Sequence, residues 1–252
     1  MKALILNAGQ GRRLLPLTSE RPKCLLRIQG RTILEWQVRE LLSFGVDEIV
    51  TVVGFGASKV KEELERICRG RAQARTVYNA FFASSDNLVS CWAARDEMDE
   101  DFFLVNGDTL FEKAILAKLL WSDPAPVALA VDQKEAYDED DMKVRCEGGW
   151  VRRIGKDLPI SETNAESIGV LLFRGEGPAL FRRALVDAVE KSENPGRWYL
   201  SVVDLLARRG LVRAVSVHGL LWTEIDYLRD LPRAAEVVSH LVVPPEQVAV
   251  HA

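Results

Sequence analysis

A short apolar run, Lys2-Ala3-Leu4-Ile5-Leu6, empties into Asn7-Ala8-Gly9-Gln10-Gly11-Arg12-Arg13-Leu14, with Arg21-Pro22-Lys23 soon after. A strand that ends in a glycine-containing turn flanked by cations is suited to a polyphosphate. Gly9 and Gly11 let the backbone come close and aim N–H groups at oxygen. Arg12, Arg13 and Lys23 add positive charge at the same place. Two standard phosphate loops are excluded. No G-x-x-x-x-G-K-[ST] occurs, and a G-x-G-x-x-G fingerprint fails because Leu14 stands where the third glycine belongs. An ordinary two-glycine turn stays open as the alternative. Two carboxylates could join this loop. Asp108 closes Val105-Asn106-Gly107-Asp108 at the end of an apolar run, where α/β sheets place ligand-binding groups. Asp226 closes Trp222-Thr223-Glu224-Ile225-Asp226 ahead of a predicted helix. Taken singly, Asp108 also reads as a turn residue and Asp226 as a helix N-cap.

The elements that must position these residues alternate between strand and helix through the first half. That pattern predicts a Rossmann-like α/β fold: a mixed, mostly parallel sheet with helices on both faces. Strands are predicted over 2–6, 48–54, 75–79, 101–106, 127–132, 167–173 and 212–217. Helices are predicted over 33–44, 59–69, 88–98, 178–191, 198–209 and 227–241. The 59–69 helix alternates charge and reads as exposed, and Asp86 or Asn87 could cap the next one. Segments 143–146 and 150–154 flank Glu147-Gly148-Gly149, a hairpin signal, after an acidic loop at 135–141. One domain is expected over 1–240, in two parts, about 1–130 with the cationic loop and about 131–240. The tail, 241–252, carries Pro244-Pro245 and reads as a loose arm or an oligomer contact.

Bulk properties bound the partners. The 252 residues are 48 % hydrophobic and 28 % charged, an ordinary globular mix. A net charge of −4 argues against nucleic acid. No apolar run reaches the roughly 18 residues a membrane span needs, and the start of the chain lacks a signal-peptide pattern. Cys24, Cys68, Cys91 and Cys146 are scattered without a C-x-x-C pair, which disfavours structural zinc and suggests a reducing, cytoplasmic setting. His218, His240 and His251 lie late and apart, and read as surface or structural residues.

The pattern G-x-G-x-R-L-x-P-L-T followed by R-P-K-x-L-L spans 18 residues, Gly9 to Leu26. It resembles the signature of the nucleotidyltransferases that build activated sugars and activated alcohols from nucleoside triphosphates. The resemblance implies the fold of nucleotide-diphospho-sugar transferases. It also implies that Asp108 and Asp226 hold Mg²⁺, that Arg13 grips the outgoing pyrophosphate, and that Lys23 contacts the phosphates. Mg²⁺ suits this role because it takes a few carboxylate oxygens plus water and substrate phosphates. One departure is Asn7, where the family usually has a small apolar residue under the nucleotide. Asn7, Ala8, Gly9, Gly11 and Arg12 are the expected nucleotide-binding loop.

Asp86-Asn87-Leu88-Val89-Ser90 bears on subtype. Asn87 and Ser90 match the N-x-x-S of the phosphocholine and inositol-phosphate cytidylyltransferases rather than the glycine-containing segment of many sugar-using relatives. Helix capping explains the same residues. On the acceptor side, Lys156 aligns with a lysine that binds the acceptor phosphate in sugar-using members, and Lys143 lies in a K-V segment of the inositol-phosphate type. Solvated strand charge is the alternative for both. Gly169 matches a family glycine beside the acceptor, and Glu166 is a candidate next to it. Trp198 and Tyr199 stand where sugar-using members carry an acid, so they could stack on a cationic acceptor or serve as core. The expectation is a Mg²⁺-dependent cytidylyltransferase using CTP and a small phosphorylated alcohol. The alternatives are a sugar-1-phosphate enzyme using UTP, dTTP or GTP, and a non-catalytic nucleotide sensor. The family is often dimeric or tetrameric, so a homo-oligomer is compatible.

Overall fold

The computed structural model describes residues 1–190 and 197–241. Its strands are β1 (Lys2–Asn7), β2 (Arg27–Ile28), β3 (Arg31–Thr32), β4 (Glu48–Val53), β5 (Gln73–Tyr78), β6 (Phe102–Asn106) and β7 (Thr109–Phe111), then β8 (Val127–Asp132), β9 (Lys143–Glu147), β10 (Trp150–Ile154), β11 (Ala165–Phe173), β12 (Val212–Ser216) and β13 (Trp222–Glu224). Its helices are α1 (Ile33–Phe44), α2 (Ala57–Cys68), α3 (Asn87–Ala93), α4 (Ala114–Leu120), α5 (Gly177–Glu190), α6 (Leu200–Ala207) and α7 (Leu231–Leu241).

A nine-stranded sheet runs β5-β4-β1-β6-β11-β8-β12-β10-β9. β5, β4, β1 and β6 are mutually parallel. β11 runs against β6 and β8, and β10 against β12 and β9, so only β10 and β11 oppose the other strands of this sheet. The chain winds outward from β1 to β4 and β5, then returns to the far side of β1 as β6. That reversal opens a crevice at the carboxyl ends of β1 and β6, the place where open α/β sheets bind ligands. Asn7 ends β1, and Asn106 at the end of β6 is paired with Leu6.

Successive strand residues face opposite sides, so β1 feeds two cores. Leu4 packs with Leu88, Cys91, Phe181 and Val203 under α3, α5 and α6. Ala3 and Ile5 pack with Leu34, Val38, Val60 and Leu116 under α1, α2 and α4. A third, smaller core joins Leu14 and Leu26 of the cationic loop to Ile225 beside β13 and to Ala234, Val237 and Val238 of α7. Burying a leucine or isoleucine side chain contributes about 1.5–3 kcal/mol. This third core therefore holds the loop against a segment some 200 residues later in the chain.

Several predicted elements shift. α2 begins at Ala57 and buries Val60, Leu64 and Ile67, so its charged face is only one side of an amphipathic helix. The 88–98 helix ends at Ala93 and passes into a 3-10 turn, Arg95–Glu97. Trp198 and Tyr199 precede α6, and a 3-10 turn, Leu228–Asp230, precedes α7. β7 and α4 had no clear sequence signal: a three-residue strand cannot show a period, and Ala114–Leu120 is apolar at all but one position and so shows no polar face. Among the described residues no helix is long and apolar enough to cross a membrane. Residues 242–252 of the expected tail, with His251, and Lys191 and Gly196 lie outside the described residues.

Candidate active site

The loop after β1 is held by its own side chains. Gly11 has φ +78° and begins the 3-10 turn Arg12–Leu14. Thr18 is fully buried, and its hydroxyl donates to the Gly11 carbonyl at 2.8 Å. A Cβ on Gly11 would lie 2.7 Å from Lys23 Cβ, so only glycine allows the turn to rest on the lysine stem. Arg12 is exposed, and Arg13 is half-exposed.

The β7–β13 ribbon brings the aspartates together. Glu224 is paired with Thr109, and the Ile225 N–H donates to the Asp108 carbonyl at 3.1 Å. Lys23 Nζ then lies 3.0 Å from Asp108 Oδ2 and 2.8 Å from Asp226 Oδ1. Arg13 reaches Asp226 Oδ2 at 3.9 Å. Asp226 does not cap the helix. Asp230 does that work, its Oδ2 accepting from the N–H groups of Asp226 and Tyr227 at 2.8 and 2.7 Å. The Asp226 carboxylate is thereby left to the cleft.

Glu224 is a third carboxyl at this place that sequence reading passed over. Burial first, and then Asp108 and Asp226, push it well above the usual carboxylate range, against the pull of Lys23. The signal was present: Glu224 and Asp226 are two residues apart, the strand period that puts side chains on one face. For Lys23, burial alone would lower the pKa. Asp108 and Asp226 outweigh it and hold the ammonium above its ordinary value.

These residues suit a small divalent cation. Asp108 Oδ1 is buried without a hydrogen-bond partner among the described residues. Its other oxygen and Asp226 already share one cation, the Lys23 ammonium. Among the described residues no group of three or more His, Cys, Asp or Glu forms an all-protein cage. A site of one or two carboxylates completed by phosphate oxygens is the usual Mg²⁺ arrangement.

Beside the aspartates, at the end of β1 and β6, lies a cavity of about 200 Å³. Ala8 and Gly9, Asn79, Asn87 and Ser90, and Asn106 to Asp108 line it. Asp86 caps α3, its Oδ1 accepting from the Asn87 N–H at 2.7 Å, so capping does not occupy the Asn87 side chain. Asn7 is buried at the end of β1, and its Nδ2 has no partner among the described residues.

The expected acceptor residues divide. Lys156 Nζ lies 4.9 Å from the centre of the Trp198 ring and 3.8 Å from Asp140 Oδ1. Both border an open groove of about 840 Å³ with Met142, Arg153, Arg197 and Leu205. Asp140 also lies 3.9 Å from Arg13 and accepts from the Tyr227 hydroxyl at 3.0 Å, so the acidic loop reaches the cationic one. Glu166 is 12 % exposed and pairs with Lys134 at 3.1 Å. Two expectations need correction. Lys143 is buried, and its ammonium is used on the Asp138 carbonyl at 2.9 Å. Tyr199 is fully buried with Phe181 at its edge, so its ring cannot stack on an acceptor. Gly169 lies against Asn106. His218 is exposed beside Asp132, and His240 is exposed on α7.

The chain is 29 % identical over 235 residues to the bifunctional IPC transferase and DIPP synthase of Aquifex aeolicus. That match covers 92 % of this chain and 50 % of the relative, so the chain spans about half that protein's length. It is 25 % identical over 253 residues to the CTP:phosphoglutamine cytidylyltransferase of Campylobacter jejuni, covering 92 % of this chain and 98 % of that one. Among solved structures, the inositol-1-phosphate CTP transferase from T. maritima shares the fold, with a TM-score of 0.79 at 24 % identity over 94 % of each chain. Residues 3–206, which carry the cationic loop, the cavity and Asp108, match the MobA-like NTP transferase domain, and the chain belongs to that family.

Proposed function

We propose that the chain is a Mg²⁺-dependent cytidylyltransferase that joins CTP to a phosphorylated small alcohol, giving a CDP-alcohol and pyrophosphate. One observation carries this reading: Arg13, Lys23, Asp108 and Asp226 converge at the mouth of a nucleoside-sized cavity at the sheet's switch point. An oxygen of the acceptor phosphate attacks the α-phosphorus, and the bond from that phosphorus to the bridging oxygen breaks, releasing pyrophosphate. The acceptor is already ionised near neutral pH, so no protein nucleophile is required.

The obstacle is charge. Two like charges 4 Å apart repel by about 4 kcal/mol at a protein surface. Arg13 and Lys23 would offset that repulsion, with Arg13 as the residue offered to the leaving pyrophosphate. Mg²⁺ held by Asp108 and Asp226 would add charge neutralisation at the phosphates. Lys156 and Trp198 are the groups offered to the acceptor phosphate and its alcohol. Asn87 and Ser90 support the choice of CTP, as do the two relatives named for CTP chemistry. Their acceptors differ, and the groove beside Trp198 is open enough for either.

The test is a panel of CTP, UTP, dTTP and GTP against phosphocholine, inositol phosphate and glucose 1-phosphate, with pyrophosphate release as readout. Turnover with CTP and an alcohol phosphate, abolished by chelation, is the expected result. Preference for UTP or dTTP with glucose 1-phosphate would replace this reading with sugar activation. Tight nucleotide binding without turnover on any acceptor would make the chain a sensor.

A further inference from the structure

Tyr199 joins the two walls of the nucleoside cavity. Its backbone N–H donates to Asn87 Oδ1 at 2.9 Å, and its hydroxyl donates to Asn106 Oδ1 at 3.0 Å. Asn87 opens α3 and Asn106 ends β6, and both line the cavity. The tyrosine cannot drift. It is fully buried, with the Phe181 ring edge-on at 6.5 Å.

These bonds fix which end of each amide is used. A backbone N–H only donates, so Asn87 must turn its oxygen toward Tyr199 and keep its NH₂ for something else. The Tyr199 hydroxyl, which can both donate and accept, donates here to the Asn106 oxygen, with the Asn106 NH₂ on the Gly169 side. Ser90 is treated alike: its Oγ accepts from Asn79 Nδ2 at 3.0 Å, while Asn79 Oδ1 accepts from the Phe81 N–H at 2.9 Å. The Asn87, Asn106 and Ser90 side chains therefore offer the cavity two amide NH₂ groups and one hydroxyl hydrogen, beside the Asp108 carboxylate that borders the same cavity. Gly169 makes the arrangement sterically feasible. It has φ +72° inside β11, and a Cβ there would lie 2.3 Å from Asn106 Nδ2.

We propose that Tyr199 is a positioning residue that sets the hydrogen-bond polarity of the nucleoside cavity, turning Asn87 and Asn106 so that the wall presents donors and favours cytosine over uracil. Cytosine offers two adjacent acceptors, O2 and N3. Uracil places an N–H donor between its two carbonyls, and that donor would face another donor. Mispaired polar groups of this kind are what make a buried site selective. The proposal rests on the nucleotide-binding reading above and deepens it to the choice of base.

Calorimetry with CTP and UTP, alongside turnover, tests it. The wild-type chain should bind CTP more tightly than UTP. Tyr199→Phe keeps the ring and the backbone N–H but frees the Asn106 amide, so the CTP:UTP affinity ratio should fall about fivefold. Asn106→Ala should lower the ratio similarly. The double variant should lower it no further than Asn106→Ala alone, because the hydroxyl acts through that amide. A loss of melting temperature in Tyr199→Phe with the ratio unchanged would assign the hydroxyl a structural role only and overturn the proposal. Additive losses in the double variant, or equal binding of CTP and UTP by the wild type, would also overturn it. Selective CTP binding without turnover would remove the transferase reading and leave this inference standing.

Discussion

Lys23 and Asp226 stand 203 residues apart in the chain and 2.8 Å apart in space. Their neighbours explain the meeting. Leu14 and Leu26 flank the lysine's loop, Ile225 precedes the aspartate, and all three pack in one small core with α7. The hydrophobic effect thus delivers two opposite charges to one point, and Asp108 arrives on the turn that leads into β7. An ammonium shared by two carboxylates marks where a cation is stabilised by this fold.

Replacing Asp108 with asparagine keeps the shape and removes one of those charges. Turnover should fall by at least about 100-fold, the scale of losing an electrostatic stabiliser. Circular dichroism should stay unchanged, because the Asp108 backbone carbonyl still pairs with Ile225. Near-normal kcat in Asp108→Asn would refute the metal-holding role.

Arg13 and Cys24 give a paired test of the loop. Arg13 is half-exposed and faces the cleft, 3.9 Å from Asp226. Cys24 is buried among Leu34, Val38 and Val60, and burial pushes its thiol up to about 12, so it stays protonated and inert. Arg13→Ala should weaken use of the nucleoside triphosphate by about tenfold or more, the scale of losing a charge-assisted contact. Cys24→Ala should cost stability and leave KM for the nucleotide in place. Equal kinetic effects would show that the loop does not grip phosphate.

Trp198 offers a test that separates the two proposed substrates. It borders the open groove with Lys156, outside the nucleoside cavity. Trp198→Ala should raise KM for the alcohol phosphate by about three- to tenfold, the range of a lost aromatic–cation contact. KM for the nucleotide should not move. A change confined to the nucleotide constant would put the acceptor elsewhere.

The sequence made the cationic loop, both aspartates and the alternating architecture legible, because those features are local or periodic. Residues 2–6 and 33–44 carried complete strand and helix patterns, and the elements formed there. Partners set by tertiary packing were less legible. Tyr199 has the composition of a stacking residue, and only the packing of Phe181 against it shows that the ring is core. Lys143 was expected at the acceptor, with solvated strand charge as the alternative, yet its ammonium is turned onto the Asp138 carbonyl of the acidic loop. Glu224 carried the two-residue spacing to Asp226, but its burial beside Asp108 comes from the pairing of β13 with β7, which no local pattern shows.

Glu166 supplies a pH test that does not depend on turnover. Burial raises its carboxyl to about 7 from an ordinary 4.5, despite the opposing pull of Lys134. Between those two values the folded chain holds a proton that the unfolded chain has released. Stability therefore declines as pH rises through this window, and the decline is complete above about 7, where both states are ionised. Below about 4.5 both states are protonated and the group makes no further difference. Glutamine resembles the protonated acid at every pH. Glu166→Gln should thus melt near the wild-type temperature at pH 5 and above it at pH 8, by about 3 °C or more for a chain of this size. A gap that is the same at pH 5 and pH 8 would show that the Lys134 ammonium fully compensates the buried charge. A gap of the opposite sign would make the Glu166–Lys134 pair a net stabiliser of the ionised form.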